Sequence, residues 1–89
     1  KSNDLDKSND LDTITIHSLK DCYYCEKAKD FLEETNRSYT VIDYDKNEEG
    51  YNDKRDALVK ITNHIKFPQI FVNGEFIGGY HELLELYDF

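Results

Sequence analysis

The segment PQIFVNGEFIGG, residues 68 to 79, constrains the fold more than any other part of the chain. Two short apolar runs flank Asn73 and Gly74, the pair a type I′ hairpin turn prefers because both central residues need positive φ. An antiparallel pair led by a proline is predicted here, and the rest of the chain must supply a sheet for it to join. TITIHSL, from Thr13, alternates β-branched and polar residues and predicts a first strand; SYTVIDYD, residues 38 to 45, predicts a second. Between them Tyr24, Ala28, Phe31, Leu32 and Thr35 recur at helical spacing, with Glu26, Lys27, Lys29, Asp30 and Glu33 on the other face. After the polar linker KNEEG, Tyr51, Leu58, Ile61 and Ile65 mark a second amphipathic helix, and the closing YHELLELYDF puts Tyr80, Leu83, Leu84 and Tyr87 on one face of a third.

The order β-α-β-α-β-β-α makes the first unit a right-handed parallel crossover and adds the hairpin as an antiparallel pair. The expected architecture is an α/β fold, a mixed four-stranded sheet flanked by three helices with the first strand central.

Eighty-nine residues suffice for one domain, and 38% hydrophobic content with 13% aromatics suffices for a small core. Residues 1 to 12 read KSNDLD twice, too polar and too short to stack as a solenoid. They are expected to be a flexible solvated tail or an added leader, leaving residues 13 to 89 as the domain. The chain contains no Met and is expected to be a processed product or an excerpt. A net charge of −8 without a basic stripe disfavours nucleic acid and anionic membranes as partners. No apolar run approaches the roughly 20 residues of a membrane span.

The two cysteines, Cys22 and Cys25, stand three apart in LKDCYYCEKAKDFLEE. Two are too few for the disulfide framework of a small secreted domain, so a reducing, cytoplasmic setting is expected. Residues three apart in a helix have Cβ atoms about 5 to 6 Å apart, so the pair can close and open a disulfide with little backbone movement. Cys22 falls at the strand-to-helix junction, where unpaired N–H groups and the helix dipole favour thiolate over thiol; it is the expected nucleophile. Cys25, one turn inside, is the natural resolving thiol. An intrachain zinc site needs four ligands, and His17, His64 and His81 lack the spacing for it. A structural disulfide would close too small a loop to constrain the unfolded chain much. Both remain as alternatives to dithiol redox chemistry, which spacing favours.

Three segments in this order, CYYC after the first strand, KFPQIFVNG leading into the hairpin and IGGYHEL opening the last helix, resemble the glutaredoxin family of the thioredoxin fold. The resemblance runs from about Thr13 to Tyr87. It implies a thiol–disulfide oxidoreductase of cell redox homeostasis and electron transport, with glutathione as co-substrate. By the same resemblance Cys22 is the low-pKa nucleophile, Cys25 the resolving cysteine and Tyr24 a wall of the glutathione groove. Phe67 and Pro68 would be joined by a cis peptide bond that turns the Phe67 backbone toward glutathione. Gly78 and Gly79 would allow close approach of the ligand, and Tyr80, His81 and Glu82 would open the helix that receives the γ-glutamyl group.

The sequence departs from the family pattern at three places. Tyr23 replaces the usual proline after the first cysteine. Leu19 stands where a lysine is common, with Lys20 one step later, and Lys66 replaces a threonine. Lys20 and Lys66 are the expected cations for the glycyl carboxylate, while Lys27 and Lys29 are expected to be helix-surface charges offset by neighbouring acids. Implied partners are glutathionylated or disulfide-bonded proteins, with ribonucleotide reductase as a family-level example, acting on a monomer. Two alternatives accompany this reading. One is a [2Fe-2S] cluster held between two protomers by Cys22 and glutathione; the other is reduction by thioredoxin reductase.

Overall fold

The structure is a computed structural model that describes residues 12–87; the first eleven residues of the repeat and the last two of the chain lie outside the described residues. Seven elements follow one another: β1 (Ile14–Leu19), α1 (Tyr23–Glu34), β2 (Thr40–Tyr44), α2 (Tyr51–Thr62), β3 (Gln69–Val72), β4 (Glu75–Gly78) and α3 (Tyr80–Tyr87). The sheet order is β2-β1-β3-β4, with β1 parallel to β2 and antiparallel to β3. The predicted β-α-β-α-β-β-α order and the central first strand are both present.

The hairpin forms as its turn residues require, with Asn73 at φ 54° and Gly74 at φ 85°. Its register holds a feature the sequence did not announce. Phe71 pairs with Phe76 but Ile70 pairs with Gly78, so Ile77 bulges out and β4 bends where it meets the site.

The two faces of the sheet carry different cores because side chains alternate along β1. Ile14 and Ile16 point to a cluster with Ala28 and Leu32 of α1, Ile70 and Val72 of β3, and Leu83 and Tyr87 of α3. The opposite face is aromatic. His17 packs against Phe71 and Tyr44, and its Nδ1 is 2.7 Å from the Tyr44 hydroxyl. Burial, followed by the Lys54 ammonium, lowers the His17 pKa, which keeps a neutral ring in this layer.

Three expectations change. Ile61 and Ile65, predicted to lie on the buried face of α2, are 73% and 71% exposed, and Leu58 is the buried residue of that helix. Ile61 lies within α2 on its exposed side, and for Ile65 the cause is where the helix stops. Asn63 adopts the left-handed conformation at φ 57° and ends α2 before Ile65, which leaves the helical register. Tyr24, at the first turn of α1, is 47% exposed, and Cys25 takes the buried position there. Asp12, assigned to the tail, is tied to the domain. Its carboxylate accepts a 2.6 Å bond from the Tyr87 hydroxyl and a 3.1 Å bond from Asn73 Nδ2, and these two bonds lower its pKa.

Candidate active site

The site is built where β1 gives way to α1. Asp21, at φ 62°, turns the chain sharply, a conformation that Asp tolerates better than most residues. Cys22 follows as the N-cap of α1, with extended backbone at φ −109°, ψ 116°. Its Sγ accepts a hydrogen bond from the Cys25 N–H at 3.2 Å and lies 3.8 Å from the Phe67 carbonyl oxygen. The sulfur thus occupies the place of a capping oxygen, facing donors that have no intrahelical partner.

Cys25 is fully buried beneath it, and its Sγ accepts from the Leu19 N–H at 3.5 Å. Burial, reinforced by the contact with Cys22, pushes the Cys25 thiol up to about 12. The pair is therefore asymmetric, one sulfur at the surface on a helix end and one protonated sulfur inside. Both are free thiols. Among the described residues no group of three or more His, Cys, Asp or Glu side chains is placed to hold a metal ion.

A groove of about 280 Å³ runs from α1 to α3. Tyr24, Lys66, Phe67, Pro68, Gly79, Tyr80, His81 and Glu82 line it, which gathers every predicted glutathione contact except Lys20. The Phe67–Pro68 bond is cis. The rings of Tyr24, Tyr80 and His81 pack on one another at centroid separations of 5.6 to 5.8 Å and form one wall. Lys20 lies beside Asp45 at 3.8 Å and lines a separate depression with Leu19, Asp21, Cys22, Lys46 and Asn47, so it shares a hollow with the cysteine but not the groove.

Glu82 does something sequence reasoning missed. Its Oε1 accepts the Gly79 N–H at 2.8 Å, so the third residue of α3 caps its own helix. That bond, with one from its own N–H, lowers the Glu82 pKa. The carboxylate lies over Gly78, where an added Cβ would be 2.6 Å from Glu82 Cγ, so only glycine leaves room for the cap. His64 was also missed. It follows the left-handed Asn63, stacks on Phe76 at 5.5 Å and joins the lining of the groove. The signal was available in the Asn63 helix stop, which throws the next residues toward the proline.

The family model described as Glutaredoxin matches residues 14–77. The chain is a member of the glutaredoxin family. The mitochondrial glutaredoxin-2 of Homo sapiens is 44% identical over 66 residues, which cover 74% of this chain and 40% of that protein. This glutaredoxin chain thus spans well under half the length of that curated relative. Oxidized glutaredoxin 2 from Chlamydomonas reinhardtii superposes with a TM-score of 0.70 at 31% identity, covering 93% of this chain and 78% of that one. A buckwheat glutaredoxin–glutathione complex superposes with a TM-score of 0.76 at 21% identity, covering 97% and 77%, and shares the fold. The architecture is the thioredoxin fold, as the three sequence segments implied. The Cys22–Cys25 pair is the CxxC motif of this glutaredoxin chain, at the N-terminus of α1.

Proposed function

We propose that this glutaredoxin is a glutathione-dependent oxidoreductase that reduces glutathione mixed disulfides and protein disulfides. The observation that carries the reading is the groove lined by Phe67, whose carbonyl oxygen is 3.8 Å from Cys22 Sγ, by the aromatic wall, by Lys66 and by the first residues of α3. Glutathione is an extended tripeptide with two carboxylates and one ammonium, and those features complement such a surface. In this reading the Phe67 backbone pairs with the cysteinyl unit in strand fashion. Lys66 faces the glycyl carboxylate. The first N–H groups of α3 and the Glu82 carboxylate meet the γ-glutamyl carboxylate and ammonium.

The Cys22 thiolate attacks the glutathionyl sulfur of a mixed disulfide. A bond forms between Cys22 and glutathione, the old disulfide breaks, and the protein thiol leaves as a thiolate that takes a proton from solvent. A second glutathione thiolate then attacks the glutathione sulfur held on Cys22, giving glutathione disulfide and returning Cys22. For a protein disulfide, Cys25 attacks the protein-bound Cys22 sulfur and the pair closes. The substrates are proteins of a reducing, cytoplasmic compartment, with ribonucleotide reductase as one acceptor to assay, and the working form is a monomer.

Cys25→Ser separates the branches. It is expected to keep at least half of the deglutathionylation rate and to lose protein-disulfide reduction to background, measured with glutathione and glutathione reductase as the coupling system. Loss of both activities, or turnover with thioredoxin reductase in place of glutathione, would reject the reading.

A further inference from the structure

Gln69 opens β3 directly after the cis Phe67–Pro68 bond, and its side chain is fully buried. Nε2 donates to the His64 carbonyl oxygen at 2.5 Å. Oε1 is buried as well and finds no hydrogen-bond partner among the described residues. One bond gained against one carbonyl left unpaired is a poor exchange for stability, because the unpaired oxygen forfeits its hydration without replacement. A buried amide on those terms needs another reason, and the segment it holds supplies one.

Residues 64–67 join α2 to the cis-proline and bring His64, Lys66 and Phe67 into the groove wall. Among the described residues they form no backbone–backbone hydrogen bond. For Phe67 that is what pairing with an extended peptide requires, yet it deprives the segment of the ladder that would fix a strand in place. Side chains fix it instead. The His64 carbonyl accepts from Gln69 Nε2 and, at 3.3 Å, from the Thr62 hydroxyl, whose oxygen accepts the His64 N–H at 3.2 Å. The single proton of that hydroxyl also faces the Leu58 carbonyl at 3.2 Å, so Gln69 provides the shorter and undivided bond. Three residues on, the Phe67 ring packs on Tyr44 at 5.0 Å and the Phe67 carbonyl oxygen lies 3.8 Å from Cys22 Sγ.

We propose that Gln69 is a positioning residue for glutathione: by holding the His64 carbonyl it fixes the wall of residues 64–67 where a glutathionyl sulfur is presented to Cys22. The proposal rests on the glutathione reading above and adds a residue that is not among those lining the groove. It divides substrates into two classes. A glutathione mixed disulfide leans on this wall and uses Gln69, whereas a disulfide that reaches Cys22 without the wall does not. The orphaned Oε1 agrees with this role, since an apolar side chain of equal length would serve the core at least as well, and local rules of packing give way most often at functional sites.

The test uses the full chain and two probes, a mixed disulfide of glutathione with a small thiol and an aromatic disulfide that contains no glutathione. Gln69→Met keeps the length of the side chain and removes the donor and the orphaned acceptor together. Its kcat/KM for the glutathione mixed disulfide is expected to fall by about three- to tenfold, the range that one hydrogen bond spans. Its reaction with the aromatic disulfide should change by less than about twofold, because a residue that acts only through the wall leaves that transition state untouched. The urea midpoint should hold or rise, which a merely structural bond would not allow. Thr62→Val removes the other bond to the same carbonyl from a half-buried position, and should show the same selective loss to a smaller degree even if Met packs poorly at residue 69. An equal fall on both probes, or an unchanged preference for the glutathione mixed disulfide in both variants, overturns the proposal. A parent chain that turns over the glutathione mixed disulfide no faster than the symmetric disulfide of the same small thiol rejects the glutathione reading itself, and the proposal falls with it.

Discussion

At the N-terminus of α1 the capping acceptor is a sulfur, Cys22 Sγ, 3.2 Å from the Cys25 N–H; at the N-terminus of α3, across the groove, it is a carboxylate, Glu82 Oε1, 2.8 Å from the Gly79 N–H. A thiol sulfur is a weak acceptor, so the α1 end holds its partial positive charge in reserve until the sulfur ionises. The α3 end is already neutralised by a fixed anion. The same local device therefore serves reactivity on one wall and helix stability on the other. An anionic ligand group arriving at α3 must share donors with Glu82, whereas at α1 the cap is the cysteine sulfur itself.

The largest expected effect breaks the α1 side of this comparison. Cys22→Ser removes the nucleophile, and thiol exchange should drop to the uncatalysed rate in both coupled and direct assays. Serine is among the preferred N-cap residues, so the variant should be no less stable than the parent in urea denaturation and should gain up to about 1 kcal/mol. A destabilised Cys22→Ser protein would mean that the sulfur holds α1 by packing rather than by capping.

Gly78→Ala strikes the α3 side. Gly78 has φ 121°, which side chains rarely adopt, and the new Cβ would meet Glu82 Cγ at 2.6 Å. Backbone strain and displacement of the cap should together lower stability by about 1–3 kcal/mol. Native stability in this variant would show that β4 and Glu82 can both shift, and that the cap is not anchored.

Glu82→Gln is gentler and isolates the charge. The amide can still accept the Gly79 N–H, so the loss at neutral pH should be about 1 kcal/mol or less. The pH dependence is more telling. The folded-state pKa of Glu82 is lowered below the ordinary glutamate value, chiefly by the Gly79 N–H. Its contribution is therefore present above that ordinary value and disappears as pH falls through the lowered one. Denaturation curves of parent and variant should converge toward acid pH and separate again near neutrality. Parallel curves across that window would remove the carboxylate cap from the account.

Sequence reading reached the fold because its strongest signals were local. Asn73–Gly74 demands a turn whatever surrounds it, and β1 alternates in a way that only a half-buried strand explains. It reached most of the groove because CYYC, KFP and IGGYHEL each sit at the end of an element that topology brings to one place. It failed where the answer depended on where a helix stops. Ile65 continues the helical spacing of Leu58 and Ile61, but Asn63 ends α2 before it, leaving Ile65 exposed and delivering His64 to the groove. Lys29 looked like surface because its neighbours in sequence are charged. The expected pairing with a neighbouring acid is present, Nζ lying 2.9 Å from Glu26 Oε2, but the side chain is only 20% exposed, which no helical pattern records. Glu82 as a cap was hidden for a similar reason, since the cap exists only because a bulge and a glycine bend β4 toward α3.

The smallest expected effect sharpens the α1 side. Tyr23→Pro places proline at the first position of the helix, where the missing N–H has no intrahelical role and the fixed φ suits the helix. Proline also restricts the residue before it to extended backbone, and Cys22 already has φ −109°, ψ 116°. Loss of unfolded-state entropy should therefore stabilise the variant by about 0.4–1 kcal/mol. Against this stands the Tyr23 ring, which meets Tyr24 edge-on at 5.1 Å and has Lys27 Nζ 5.9 Å from its centroid, contacts that are largely solvated and worth about 0.5 kcal/mol each. The two effects nearly cancel, and denaturation should show a net change within about 0.5 kcal/mol. The Cys22 reaction with an aromatic disulfide should change by less than about threefold, because the Cys25 N–H that faces the sulfur is unaltered. A loss above about 1 kcal/mol would assign Tyr23 a packing role at the mouth of the site that its 67% exposure gives no reason to expect.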